Sequence, residues 1–557
     1  MKNKLSFLSI SFILVLSVFL SACGNKQDAG SGNGATGEPQ DGGKVTLAMF
    51  SAPQGIFNPV FYEDQYDAYV LEYTFDDLFG YDSNLNISTE KSLGDSYKFE
   101  NDNKTLTIKM KQEAKWHDGK PVTIDDMIFA WEVIADKEYT GPRFSNISMI
   151  KGAQEKKDGK ADKIAGITKI DDYTVKLELN QAQANTISEI WDYPLAKHLY
   201  EGVPIKDMPN AEPTKKNIVG NAEFKVKEIK ANEYVVLERN DDYWRGKAHL
   251  DQIVLKVVNQ DVAIGALKKG DVDFVPQIQP KEFDDLDKND NVEIKEIGDF
   301  GYQYMGINHE STKLQDQKLR QALVYGIDRA AMVKGLLKGH GYVLNQHIPK
   351  VSWAYNEGLD DAYPYDVEKA KSILAEAGYK DLNGDGFVEG KDGKAFSLKL
   401  DYPTGNPVRE QSAPIIKENL EKIGLKIDLQ QPREVASHYD AVEQGKTELY
   451  LAGWGLVPDP DPSGIFLSTD TFNYLRYKNA ESDKLIKAAV TSSDAFDQAK
   501  RKEMYKTWTE KINEDVPQVF LYGQNRIEAW NKRVNGVTFD WRGAIESPDA
   551  IDWWVAK

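Results

Sequence analysis

Apolar positions recur along the chain with two periods, and the change from one to the other divides it. Val45, Leu47 and Met49 alternate as in a short strand, while Tyr66, Tyr69, Val70, Tyr73 and Leu78 fall at helical spacing and predict a helix over residues 64–79. Residues 92–110 predict a hairpin, with Asn101, Asp102 and Asn103 in the turn and Leu106, Ile108 and Met110 alternating on the return strand. A helix is expected to start near Asp125. From 164 to 260 a period of two dominates, with strands expected at Val175, Leu177 and Leu179, at Phe224 and Val226, at Val235 and Leu237, and at Val254 and Leu255.

After about residue 300 the period lengthens. Leu319, Leu323, Ile327 and Ala331 share one helical stripe, predicting a helix that stops by Gly339. A second helix is capped by Asp366, carries Ala370, Ile373, Leu374 and Ala377, and ends at Gly378. A strand with Phe396, Leu398 and Leu400 follows, then a helix with Ile416, Leu420 and Ile423 ended by Gly424, then a strand with Leu425, Ile427 and Leu429. That order implies a right-handed parallel unit. A helix from His438 to Gln444 precedes a strand at Leu449 and Leu451. The second half therefore reads as α/β, with ligands expected at the C-terminal ends of its strands.

The first 24 residues change the picture of where this body works. Lys2 and Lys4 precede an apolar stretch from Leu5 to Leu20, which reads as a secretory signal. Leu20-Ser21-Ala22-Cys23 is similar to the bacterial lipobox, and Cys23 is the only cysteine in the chain. Residues 1–22 are expected to be removed and Cys23 acylated, holding the protein to a membrane surface. Residues 24–43 are Gly-rich and nearly devoid of large apolar side chains, so 23–43 reads as a lipidated flexible tether. The GNGATG spelling at 32–37 has no strand before it and no helix after it, and carries no dinucleotide site.

The 557 residues are 41% hydrophobic, enough for several cores, and their formal charge of -19 argues against a sequence-independent grip on nucleic acid. HExxH, Gly-x-Ser-x-Gly and GxxxxGK[ST] motifs are absent, and the seven histidines show no i, i+4 pair, so local signals for common hydrolytic or phosphoryl-transfer chemistry are missing. One segment carries metal-like spacing. Asp381, Asn383 and Asp385, with Gly386 at the sixth place, match the start of an EF-hand loop, and Phe387, Glu389 and Asp392 occupy the later positions. Asp392 is shorter than the usual glutamate, and a strand follows instead of a helix. The loop reads either as a structural Ca2+ site or as a metal-free turn built on Asx and Gly residues.

Several segments together resemble the family 5 extracellular solute-binding proteins, the peptide receptors of ABC importers. They are Lys115-Trp116-His117-Asp118-Gly119-Lys120-Pro121-Val122-Thr123, then Arg239-Asn240-Asp241-Asp242-Tyr243-Trp244-Arg245-Gly246-Lys247, then Leu319-Arg320-Gln321-Ala322-Leu323 with Ile327-Asp328-Arg329. Ala370 to Gly378 with the Asp381 loop, and Gly453-Trp454-Gly455 followed by Asp459-Pro460-Asp461-Pro462, extend the likeness across the chain in family order. Residues 219–224 depart from it, reading Val-Gly-Asn-Ala-Glu-Phe where the family usually has a Gly-x-Gly-Pro-Tyr turn. Residues 240–244 read by themselves as a structural turn with aromatic packing, and Arg320 with Asp328 as an ion pair.

The resemblance implies an α/β, periplasmic-binding-protein-like fold of type II, cluster C. Two α/β lobes would surround a hinged cleft, with an extra mixed β-rich lobe. Lobe I would comprise 44–75, 205–298 and 527–557, lobe II 76–204 and lobe III 299–526, with hinge crossovers near 300–301 and 524–526. It implies a non-enzymatic, monomeric receptor that needs no cofactor, binds oligopeptides mainly through their backbone and delivers them to permease subunits. A receptor for dipeptides, a peptide pheromone or nickel chelates is the same-fold alternative, and a surface hydrolase the alternative of another class. By family position Gly453, Trp454 and Gly455 would meet the peptide backbone from one lobe, and Glu63, Asp64 and Gln65 from the other, with Arg143, Tyr522 and Gln524 at further contact positions. Asp64 equally suits a helix cap, and Trp454 equally suits a core. Where the family places an Asp for the ligand amine this chain has Val457, so Asp459, or else Asp461, is expected to serve.

Overall fold

The computed structural model describes residues 38–546 and 549–556. Cys23, the leader and the tether up to residue 37 lie outside the described residues.

A seven-stranded sheet runs in the order Val292–Ile297, Arg526–Asn531, Phe274–Val275, Lys44–Met49, Gln252–Val257, Tyr234–Arg239, Phe224–Lys230. Its alternating side chains serve two cores, because successive strand residues point to opposite faces. Val45, Leu47, Val235, Leu237, Ile253 and Leu255 enter the largest core, whereas Ala48 packs with Ala263, Leu267 and Ala529 on the other side. A four-stranded sheet, in the order Gly94–Glu100, Thr105–Met110, Thr174–Glu178, Ile167–Asp171, sends Leu106, Ile108, Val175 and Leu177 into that same largest core. The hairpin turn forms where expected, with Asn101, Asp102 and Asn103 at φ of 52°, 53° and 62°, a region Asn and Asp tolerate better than most residues.

The six-stranded sheet has the order Gly341–Val343, Gln518–Gln524, Tyr302–Ile307, Leu449–Trp454, Ser397–Asp401, Lys426–Leu429. Its last three strands are parallel neighbours, as the strand-helix-strand reading implies, with helix Pro407–Lys422 between Ser397–Asp401 and Lys426–Leu429. The other pairings are antiparallel. Helix Val367–Ala377 has Asp366 as N-cap and Gly378 as a left-handed C-cap, the boundaries expected.

Two helices differ from expectation. Gln65–Glu72 stops well short of residue 79, because the Thr74 hydroxyl turns back to the Val70 carbonyl and the Thr74 carbonyl accepts from Asn221 and Ala222. A Cβ on Gly220 would lie 1.8 Å from that carbonyl oxygen, so only glycine fits the approach. The expected stripe through Ala331 is broken into Gln317–Gly326 and Arg329–Leu336. Asp328 caps the second helix and its N–H donates to Asn419, which holds Ile327 extended between the two. Arg320 and Asp328 therefore form no ion pair; Arg320 donates to the carbonyls of Leu314, Gln315, Asp515 and Val516.

The chain passes between the two large sheets twice, at 298–301 and at Asn525. Beside these crossings Glu296 accepts from Asn525 and pairs with His340 at 2.8 Å. Among the described residues no helix is long and apolar enough to cross a membrane.

Candidate ligand cleft

Strand Leu449–Trp454 is paired along one side by Tyr302–Ile307, but on the other side only Leu449 and Tyr450 face Ser397–Asp401. The Asn308 N–H donating to the Glu448 carbonyl sets the phase of the antiparallel ladder. Residues 450, 452 and 454 thus bond inward, while 449, 451 and 453 turn their N–H and C=O outward. His438 takes the Leu451 carbonyl at 3.0 Å. Gly453 is left facing an edge where, among the described residues, no strand pairs.

The surroundings of Gly453 explain its identity. Arg409, in the first turn of helix Pro407–Lys422, donates to Gln303 at 2.6 Å. A Cβ on Gly453 would sit 2.5 Å from Arg409 Nη2 and 2.7 Å from Gln303 Nε2. Trp454 is half-buried and lies nearly parallel to Tyr304 and Tyr474, with ring centroids 6.4 and 6.0 Å away. It is thus part of an aromatic shelf as well as a strand end. Tyr522, on the other neighbour of Tyr302–Ile307, is buried and shares a hydrogen bond with Ser412 at 3.0 Å. Gln524 pairs with Gly341.

Beyond the strand, Gly455, Leu456, Val457, Asp459, Pro460 and Asp461 line a recess of about 130 Å³ that reaches Phe300. Phe300 also lines a cavity of about 710 Å³, walled by segments within 72–92, 187–193, 297–300 and 538–542. That volume lies within the range of small-ligand sites. Phe75, Phe79, Ile187 and Ile190 give it apolar walls, and Trp541 packs edge-on against both Phe300 and Tyr81.

Acidic groups dominate the cavity. Asp549 pairs with Arg245 at 2.7 Å and with Lys91, and Glu72 pairs with Arg542 at 2.7 Å. Asp76 accepts from Tyr243 and Trp244, so residues 240–244 form the aromatic-packed turn their composition suggested, with both polar tips on one cavity carboxylate. Burial still pushes Asp76 up to about 6 and Asp192 to about 7, and holds Asp77 and Glu223 well above the usual carboxylate range. His117 fixes the facing turn by engaging the Gly220 N–H and the Ala222 carbonyl, and burial keeps its pKa down at about 3.

The residues expected to hold an amine are engaged differently. Both oxygens of Asp459 accept from Arg501, at 2.6 and 2.9 Å, and each side chain is only 6% exposed. Asp459 is thus a buried partner of Arg501 and not a free carboxylate. Asp461 accepts from Ser463 and from Asn185 across the cleft at 2.9 Å, and burial pushes it up to about 6. Glu189 is pushed to about 7 by burial and then by Asp459 and Asp461.

Glu63, Asp64, Gln65 and Arg143 line neither cavity. Asp64 caps the helix it precedes, accepting from the Tyr66 and Asp67 N–H groups. Glu63 is exposed, and Gln65 reaches Glu546, which pairs with Arg526 beside the Asn525 crossing. Arg143 lies over the rings of Tyr62 and Trp191 and donates to the Tyr62 carbonyl at 3.0 Å. Asp381 and Asn383 accept N–H groups of their own loop, as does Asp385, while Glu389 receives Leu382 and Asn383. Asp392 accepts from Lys394, and Phe387 offers only its N–H to Asp385. Among the described residues no three acidic, His or Cys side chains are grouped to hold a metal. Sequence reasoning missed Arg409, Gln303, Asp76, Asp77, Asp192 and Glu223. Arg409 had a usable signal, since it opens the helix after a parallel strand, but the cavity carboxylates come from separated segments.

Comparison with known proteins places this architecture. Residues 89–474 match the bacterial extracellular solute-binding proteins, family 5 Middle. The chain belongs to that family. Among curated members, it is 33% identical over its whole length and that of the oligopeptide-binding protein AppA of Bacillus subtilis. It is 25% identical to the oligopeptide-binding protein OppA of Lactococcus lactis, over 82% of this chain and 80% of that one. Among solved structures, Bacillus subtilis AppA in complex with a nonapeptide superposes with a TM-score of 0.73 at 32% identity, covering 93% of this chain and all of AppA. Family membership accounts for the type II fold.

Proposed function

We propose that this chain is an extracytoplasmic receptor that binds oligopeptides in a closing cleft and delivers them to the permease of an ABC importer. The observation that carries the reading is the full-length similarity to a receptor solved with a nonapeptide. The geometry supports it. A receptor for peptides of varied sequence draws on backbone groups that all peptides share, and the outward N–H and C=O of Gly453 are suited to an added strand. Arg409 and the Trp454 shelf stand beside that edge, and the cavity shares Phe300 with the recess that begins at Gly455.

The finer features of the proposal come from the sequence. Acylation of Cys23 would anchor a monomeric receptor to the outer face of the membrane. Lobe I (44–75, 205–298 and 527–557), with lobe II (76–204) as the extra lobe, and lobe III (299–526) would close over the ligand about hinge crossovers near 300–301 and 524–526. Calorimetry with synthetic peptides from two to nine residues tests the core of it. Saturable binding by the longer peptides is expected. Neither heat nor a shift in melting temperature across the whole series would overturn it.

A further inference from the structure

We propose that the larger cavity selects its ligand by a cationic side chain, so that peptides carrying lysine or arginine are the preferred cargo. The inference rests on the receptor reading and narrows its substrate class. Once Asp549 and Glu72 are matched with their Lys and Arg partners, Asp76, Asp77, Asp192 and Glu223 remain on the cavity wall without a cationic partner in ion-pair range among the described residues. Glu223 is only 4% exposed yet lines the cavity, and neither its carboxylate nor that of Asp77 accepts a hydrogen bond from another residue's side chain.

A carboxylate so placed is costly to keep charged until a cation joins it, and all four are held above their ordinary range by burial. Charged groups acting on Asp77 include Asp192, Arg542, Glu72 and Asp76, those on Glu223 include Asp76, Arg245 and Asp549, and Arg245 and Lys111 act on Asp76 from beyond ion-pair range. A ligand ammonium or guanidinium would supply the missing partner. Its methylene stem would lie on Phe75, Phe79, Ile187 and Ile190, as long cationic side chains do on apolar surface. The overall charge of -19 favours encounter with the same ligands.

The test is calorimetry of the protein with a positional scan of a nonapeptide of Ala, Gly and Ser. One position at a time carries Lys, norleucine or Glu. At one or two positions the Lys peptide should bind about 10- to 100-fold tighter than norleucine, the range of a charge-assisted hydrogen bond, with Glu weakest. Asp77→Asn with Glu223→Gln should bring that ratio toward one; if this variant does not fold, the scan on the natural protein decides alone. Equal affinity of all three at every position overturns charge selection and leaves the receptor reading standing. Failure of every peptide to bind overturns both. Spermidine is the remaining control, and binding as tight as the Lys peptide would mean a site for free polycations and overturn the side-chain assignment.

Discussion

Arg501 decides what Asp459 can do. With both carboxylate oxygens on one guanidinium and both side chains nearly sealed, removing the acid leaves a buried cation unpaired. Asp459→Ala should therefore cost about 3–5 kcal/mol of stability, measured by urea unfolding. A loss below about 1 kcal/mol, accompanied by loss of preference for a free peptide amine, would return Asp459 to the ligand. Gly453 makes the opposite case. The atoms that a new Cβ would meet are the tips of Arg409 and Gln303, which can move. Gly453→Ala should thus keep its melting temperature within a few degrees while weakening peptide binding by about tenfold or more, since a displaced Arg409 and an obstructed edge remove shared backbone contacts. Unchanged affinity in calorimetry would show that the peptide does not use this edge.

Among elements, those legible in the sequence were fixed by neighbours in the chain. Asp366 and Gly378 bracket their helix because a cap and a left-handed terminator act locally, and the hairpin at 101–103 turns on residues that tolerate positive φ. The breaks at Tyr73 and Ile327 were not legible, since they depend on Gly220, Asn221 and Asn419 brought in from elsewhere. The same reason divides the site. The Gly453 strand end could be placed from periodicity and resemblance, whereas Asp76, Asp192 and Glu223 meet only through the fold. The Asp381 loop was open to two readings, and its carboxylates here are turned onto the loop's own N–H groups. We expect a melting temperature indifferent to both Ca2+ and chelator. A Ca2+-dependent rise, about 2.7 kcal/mol of stabilisation at a hundredfold excess over its dissociation constant, would identify a metal site.

At the scale of the molecule, the β-rich segment meets the α/β half across the cleft through Ala184 N–H to the Val490 carbonyl, Asn185 to Asp461 and Gln498 to Asn86. That meeting gathers Glu189, Asp459 and Asp461 around Arg501. Glu189 is raised to about 7 by burial and by the two aspartates, against an ordinary value near 4.5 in a form where they separate. Below that ordinary value the group is neutral in either form, and its contribution to closure is lost as pH rises through about 7. Small-angle scattering of the peptide-free protein should show a larger radius of gyration at pH 8 than at pH 5.5, and Glu189→Gln should shrink the difference to the part that Asp461, raised by burial to about 6, contributes. A radius independent of pH in the natural protein would contradict this. Mass spectrometry of what the natively purified protein releases on denaturation decides whether the cleft holds a peptide. Peptides of several residues, in near-stoichiometric amount and varied in sequence, are the expected result; a single non-peptide molecule released at one per chain would contradict it.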